Sequence, residues 1–417
     1  MKISEVFTAG GVPSITYNAR SEYRLEENLV LDLEIEGKIL SITGPTKIGK
    51  STLCKKVIRI DKLVSVPCGG LKNIDDLWST IITKLSLANT QVNENESEKT
   101  KTDTNELTVG TEAGFFNWLK AKVEGKQQKA NATREATRSQ TIFEARPLDL
   151  AIEGLIQNKS VLVLDDFHYC TKELQTEIIR SLKDPLSIGL KVIICSVPHR
   201  DEDSIKVEHE LEGRILQFRI SQWSPQELKE ISIKGFTALN LQVPESIINS
   251  FVNESYKSPH LMQEFCYRYC RWNNIFEKQV DLIHMNDALN LETFYSQLID
   301  TFSSKFLYEK LVSGPDRERK MRQLKNGSEG DIYYVIMLAL SELTHLDSIT
   351  PDIVREKLKE LLEATSMPNK QQVQQVLSKM TDIAKTSTTR EPSIDFQENK
   401  LFIVDPFFAF YLKWCEK

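Results

Sequence analysis

The segment GPTKIGKS, residues 44–51, constrains this chain more than any other stretch. It has the spacing G-x-x-x-x-G-K-[ST], and it lies between an apolar run, Ile39–Thr43, and a helical stretch that begins near Ser51. Its glycines let the backbone curl so that successive N–H groups face inward. The helix that follows adds the positive end of its dipole. A loop of this kind cradles the phosphates of a nucleoside triphosphate. Lys50 is expected to reach the β- and γ-phosphates and Ser51 to ligate Mg²⁺, with Gly44, Pro45, Thr46, Lys47, Ile48, Gly49 and Thr52 completing the cradle.

A second segment strengthens this expectation. VLVLDD is an apolar run, Val161–Asp165, that ends in two carboxylates. Asp165 is expected to bind the Mg²⁺, directly or through water, and Asp166 to orient or deprotonate the attacking water. The run Lys191–Ser196 ends in a small polar residue where strand ends line a crevice, so Ser196 is a candidate phosphate sensor and Arg200 a second. A turn or surface role is the alternative for each. Arg214 precedes the fifth apolar run. It reads either as an arginine finger for a neighbouring subunit or as a surface ion pair. Tyr17 and Arg20, upstream of the first run, are placed by chain order to flank the base.

The first 220 residues alternate apolar runs with helical stretches. The runs are Ile39–Thr43, Leu63–Pro67, Val161–Asp165, Lys191–Ser196 and residues 216–220. None alternates cleanly, which is the pattern of parallel strands covered on both faces. Five such strands joined by helices predict an α/β doubly wound core over residues 1–222. Residues 93–140 interrupt it with a polar segment that reads as a mobile loop and an apolar cluster of Phe115, Phe116, Trp118 and Leu119. From 223 to 290 the pattern is helical, opened by Ser224, Pro225 and Glu227 as a helix start. Residues 291–330 read as a connector, and the basic run within 315–325 as a solvated helix face. Residues 331–417 carry helical patterns at 331–345, 351–364 and 370–385, then a hairpin signal around Glu398-Asn399-Lys400, the order of a winged helix. The aromatic tail that follows should pack as a closing helix.

Composition excludes other classes. No run of about 18 apolar residues occurs, so no membrane span is expected. The N-terminus has a single Lys and no apolar core of signal-peptide length, which points to the cytoplasm. The seven cysteines lack Cys-x-x-Cys spacing and read as core thiols; Cys266 and Cys270 share a helix. A net charge of −6 disfavours a nucleic-acid coat but leaves room for a local basic face.

Together, GPTKIGKS, VLVLDD, KVIICS, Arg214 before a strand and the helix start at Trp223-Ser224-Pro225 resemble the AAA+ and STAND signalling ATPases. The resemblance is to the prokaryotic branch with an origin-recognition-like core. The element Ser258-Pro259-His260-Leu261 is similar to the Gly-x-Pro element of the STAND lid, with Ser in place of Gly, and it implies that Pro259 and His260 touch the nucleotide. Asp166 stands where AAA+ enzymes carry Glu, which implies slow turnover of ATP. The chain has no long repeat array of the kind many STAND sensors use. The resemblance implies a homo-oligomer, a protein effector or sensor partner, and a role in prokaryotic signalling or defence against phage.

Two functions follow. One is a regulatory switch whose nucleotide state governs assembly or effector binding. The alternative is a DNA-acting ATPase of the origin-recognition or transposition-regulator type. There the third helix of the winged unit would offer Lys370, Gln371, Gln372, Gln374, Gln375 and Lys379 to a groove, opposed by Asp382. A metabolic kinase fits less well, because no arginine cluster for a phosphoryl acceptor is evident.

Overall fold

The computed structural model describes residues 1–87, 146–197, 213–387 and 392–415. The chain divides into two compact units, one of Met1–Leu87 with Pro147–Lys417 and one of Ala88–Arg146. Apart from Arg146, the second unit lies outside the described residues, as do the aromatic cluster expected at 115–119 and Arg200.

Five strands form one parallel sheet: β1 (Ile39–Thr43), β2 (Leu63–Pro67), β3 (Val161–Asp165), β4 (Lys191–Ser196) and β5 (Ile215–Arg219), in the order β2-β3-β4-β1-β5. Four strands fall where the apolar runs predict them, and β5 starts one residue early. Thr43 pairs with Ser196 on one side and Arg219 on the other, while Pro67 pairs with Asp165. The strand that separates β1 from β3 in the sheet is therefore β4. Side chains alternate between two buried faces. Leu40, Ile42, Val161, Val163, Ile193 and Cys195 enter one core, and Ile39, Leu162, Leu164, Val192 and Ile194 the other. Burial on both faces explains why the central strands read as continuous apolar runs.

The helices before and within the sheet are α1 (Ile3–Val6), α2 (Leu25–Glu34), α3 (Lys50–Val57), α4 (Ile74–Lys84), α5 (Pro147–Gln157) and α6 (Lys172–Ser187). After β5 come α7 (Pro225–Ala238), α8 (Glu245–Glu254), α9 (Pro259–Trp272), α10 (Leu291–Ile299) and α11 (Ser304–Ser313). The helix start at Ser224 has the expected form. Its side chain accepts from the Glu227 N–H, Glu227 reciprocates, and Pro225 opens the helix. Cys266 and Cys270 lie in the core on α9.

Residues 291–330 differ from the expectation of a plain connector: they contain α10 and α11 and two short paired strands, Arg322–Gln323 and Glu329–Gly330. The basic run there is no solvated helix face. Arg322 lies in a strand, buried, donating to the Ser366 carbonyl, and Arg319 is paired with Asp331. A guanidinium drawn inward this way satisfies chain ends that would otherwise lack donors.

Three helices then follow, α12 (Ile332–Glu342), α13 (Pro351–Leu361) and α14 (Lys370–Ser387). An antiparallel hairpin of Ile394–Gln397 and Lys400–Ile403 comes next, and Leu401 also bridges Ile349. The closing helix α15 (Pro406–Trp414) is shared between two cores. Phe410 and Trp414 pack with the aromatic cluster of α7–α10, while Phe408 and Leu412 enter the core of α11–α14 and the hairpin. Glu254 on α8 accepts from Lys413 and from the Trp414 indole, fastening this helix in place.

Candidate functional site

The loop between β1 and α3 sits at the C-terminal edge of the sheet, where parallel strands leave a crevice. Gly44 has no room for a side chain: a Cβ there would lie 3.0 Å from the Ile220 carbonyl oxygen. Gly49 has φ +107°, in the left-handed region that glycine adopts without strain. Lys47, at the tip of the loop, also has positive φ, 59°, an uncommon state for a side chain of its size.

The buried Lys50 ammonium donates to the Gly44 carbonyl at 2.7 Å and the Pro45 carbonyl at 3.0 Å. Ser51 Oγ donates to Asp165 Oδ2 at 2.7 Å, so the second residue of α3 meets the end of β3. A hydroxyl and a carboxylate converging in this way are hard oxygen ligands suited to Mg²⁺, whose remaining ligands are typically phosphates and water. Asp166 has φ +57° and caps a short turn, Phe167–Tyr169.

A cavity of about 930 Å³ opens over the loop and is of a size that holds a nucleotide. Thr46, Lys47, Ile48, Gly49, Lys50, Ser51 and Thr52 line it on one side, with Asp165 and Asp166 beside them. Gly44 and Pro45 contribute through the carbonyls that hold Lys50. Pro259 and His260, at the start of α9, also line it, so the structure brings this segment to the loop. Burial, and next the Lys47 charge, hold the His260 imidazole below its ordinary value, against the opposite pull of Glu264 and Asp405.

Other predicted residues stand elsewhere. Ser196 is fully buried opposite Thr43 in the sheet and is not part of the cavity lining. Arg214 lies at the N-terminal end of β5, across the sheet from the loop. Its guanidinium donates to the Lys183 carbonyl at 3.1 Å and its carbonyl accepts from Ile39. Tyr17 lines the cavity, its hydroxyl donating to Glu26. Arg20 lines it too, but its guanidinium is committed to Glu227, Ser221 and Gln222.

Sequence reasoning missed four contributors. Asp405, the N-cap of α15, accepts from Lys47 Nζ at 2.7 Å, and the same ammonium stands 4.1 Å from the centre of the Phe407 ring. The Phe407 ring in turn packs edge-on against His260 at 4.8 Å. The Trp223 indole donates to the Ile48 carbonyl at 3.0 Å. The N-terminal segment, through Thr8, Gly10 and Thr16, supplies a further wall. The sequence read the tail as a closing helix, but nothing in it signalled a partner 358 positions away.

No family model matches the chain, and no curated protein matches it. Among solved structures it is similar to the Walker-type ATPase of Pyrococcus abyssi, at 17% identity over 95% of this chain and 96% of that one, with a TM-score of 0.52. It is also similar, more distantly, to the ORC1 protein of Aeropyrum pernix in complex with DNA, at 11% identity over 100% of this chain and 96% of that one, TM-score 0.46. A STAND protein with a tetratricopeptide repeat sensor from Pyrococcus horikoshii matches at 13% identity over 93% of this chain and 41% of that one, TM-score 0.37. With its five-stranded parallel sheet, its glycine loop and a carboxylate strand end beside that loop, the chain has the α/β fold of a P-loop ATPase.

Proposed function

We propose that this chain is an ATP-operated regulatory switch of AAA+/STAND type. It binds ATP with Mg²⁺ at the loop of residues 44–51, hydrolyses it slowly, and couples nucleotide state to assembly or to an effector partner. We divide it into an ATPase core (1–222), a helical lid (223–290), a connector (291–330) and a winged-helix unit (331–417). The order of three helices and a hairpin, with Leu401 bridging Ile349, supports that last assignment.

The observation that carries the switch reading is the Lys47–Asp405 pair. It joins the tip of the phosphate loop to the N-cap of the helix that locks the C-terminal unit in place. A triphosphate in the loop brings anionic charge beside Lys47 and competes with Asp405 for it. The pair is partly exposed and contributes at most about 1 kcal/mol by itself. It is suited to act as a trigger because it ties the loop tip to the first turn of α15, whose later turns enter both cores.

In the ATP-bound site the Lys50 ammonium turns from the Gly44 and Pro45 carbonyls to the phosphates. Ser51 and Asp165 would hold a Mg²⁺, and Asp166 would orient the attacking water and accept its proton. The metal would supply charge neutralisation for the phosphates when bound. The aspartate reaches less far than a glutamate, which supports slow turnover suited to a timer. Arg214, at the opposite end of the sheet from the loop, would serve a neighbouring copy rather than its own site, on releasing the Lys183 carbonyl. A role in prokaryotic antiviral defence, in the cytoplasm, is part of this reading.

One observation favours DNA as a second reading. Lys370, Gln371, Gln372, Gln374, Gln375 and Lys379 are all exposed on α14. Against it, Lys370 is paired with Asp352 and Lys379 with Asp382.

The test is light scattering of Asp166→Asn, which traps ATP, with Mg·ATP and with or without a generic DNA duplex. Assembly driven by ATP alone, and reached without nucleotide in Asp405→Asn, is the expected result. Assembly only on DNA replaces the switch reading with the second, and no response to ATP removes both.

A further inference from the structure

A phosphate loop turns its N–H groups inward, so its carbonyls must find donors elsewhere. Two of those carbonyls, of Gly44 and Pro45, take the Lys50 ammonium. A third, of Ile48, is buried and takes the Trp223 indole N–H at 3.0 Å. Ile48 immediately precedes Gly49, the residue with the left-handed turn that aims the loop into α3. The donor that fixes this peptide therefore lies 175 positions away, on the hinge between β5 and α7.

Trp223 is itself held. Arg20 is 4% exposed and has positive φ, 53°, a conformation it keeps only under constraint. Its guanidinium donates to Glu227 at 2.7 Å, to the Ser221 carbonyl at 2.8 Å and to the Gln222 carbonyl at 3.0 Å, and it lies 5.1 Å from the Trp223 ring centre. Glu227 closes the capping box of α7 with Ser224. The hinge also touches the loop at its other end, since the Ile220 N–H donates to the Thr43 carbonyl at 2.7 Å.

We propose that Trp223 is a positioning residue for the phosphate loop, aimed by Arg20, so that the hinge at the base of α7 preshapes the loop for phosphate. This deepens the ATP-site reading above and rests on it. The contact favours the one loop shape that takes phosphate; without it the free loop leaves that shape, while bound ground state and transition state are affected equally. Its loss therefore weakens ATP binding without slowing the chemical step.

The test uses Trp223→Phe in the full chain. Phenylalanine keeps an apolar ring beside Arg20 but deletes the N–H donor, together with part of the indole's bulk. One neutral hydrogen bond predicts a rise in Kd for Mg·ATP of roughly 3- to 10-fold by calorimetry, with turnover at saturating ATP within about twofold of the intact protein. A core residue with no hold on the loop would lower the melting temperature and leave the Kd of the folded protein unchanged. A Kd rise below threefold, or a larger loss of turnover at saturation, overturns the proposal. Arg20→Lys keeps a cation opposite Glu227 but loses the fork. It should raise Kd when Trp223 is present and add nothing to Trp223→Phe; equal effects in both backgrounds overturn the part assigned to Arg20. If the intact protein binds no ATP, the ATP-site reading falls as well. If it binds and Trp223→Phe binds equally, this inference alone falls.

Discussion

At the scale of single residues, the site is governed by where a few polar groups are satisfied. Lys50 is buried, and its ammonium rests on two carbonyls of its own loop, a state from which it can turn to phosphate without first being desolvated. Lys50→Ala removes the charge that faces the phosphates and should raise the Kd for ATP by about 100-fold or more, as two charge-assisted hydrogen bonds at ~1.5 kcal/mol each imply. Unchanged affinity by calorimetry would remove the loop from the site. These residues were legible in the sequence because each role depends on local backbone shape. Gly49 takes a positive φ, and Lys50 reaches carbonyls of its own loop. The partners of Lys47 and Ile48 were not legible, because Asp405 and Trp223 reach them only through the folded chain.

At the scale of elements, α15 has the largest consequences. It carries Phe410 into one core and Phe408 into another, and its first turn holds the cap that takes Lys47. Phe410 is fully buried and packs against Phe265, Tyr295 and Phe302. Phe410→Ala should cost about 3–5 kcal/mol. Chemical denaturation would show it, with the transition of the C-terminal helices separating from that of the sheet. A single transition at the native midpoint would mean that α15 does not couple the two cores. The tail was readable as a closing helix from its aromatic content. That it serves two cores was not, since an apolar face does not name what it packs against. The helices α10 and α11 lie in a segment read as a connector, though α10 buries Phe294, Tyr295 and Leu298 and α11 buries Leu307 and Leu311.

At the scale of the molecule, the sheet order places Arg214 and the phosphate loop at opposite ends of neighbouring strands, β5 and β1. A residue so placed reaches a phosphate only across a contact between copies. Arg214→Ala should leave the turnover of dilute monomer unchanged and reduce that of assembled protein by about 10-fold or more, read as phosphate release against protein concentration. Full activity in the assembled variant would leave Arg214 as a brace for the Lys183 carbonyl. By itself, the sequence determined the parallel sheet, the phosphate loop and the carboxylate strand end. Continuous apolar runs and glycine spacing act over a few residues and are written in order along the chain. Only the tertiary structure decided that the hinge donates to the loop, that the C-terminal helix caps onto Lys47, and that the basic run at 315–325 turns partly inward. Those contacts join positions far apart in the chain. They form because packing brings two surfaces together, and no local pattern encodes which surface a given side chain will meet.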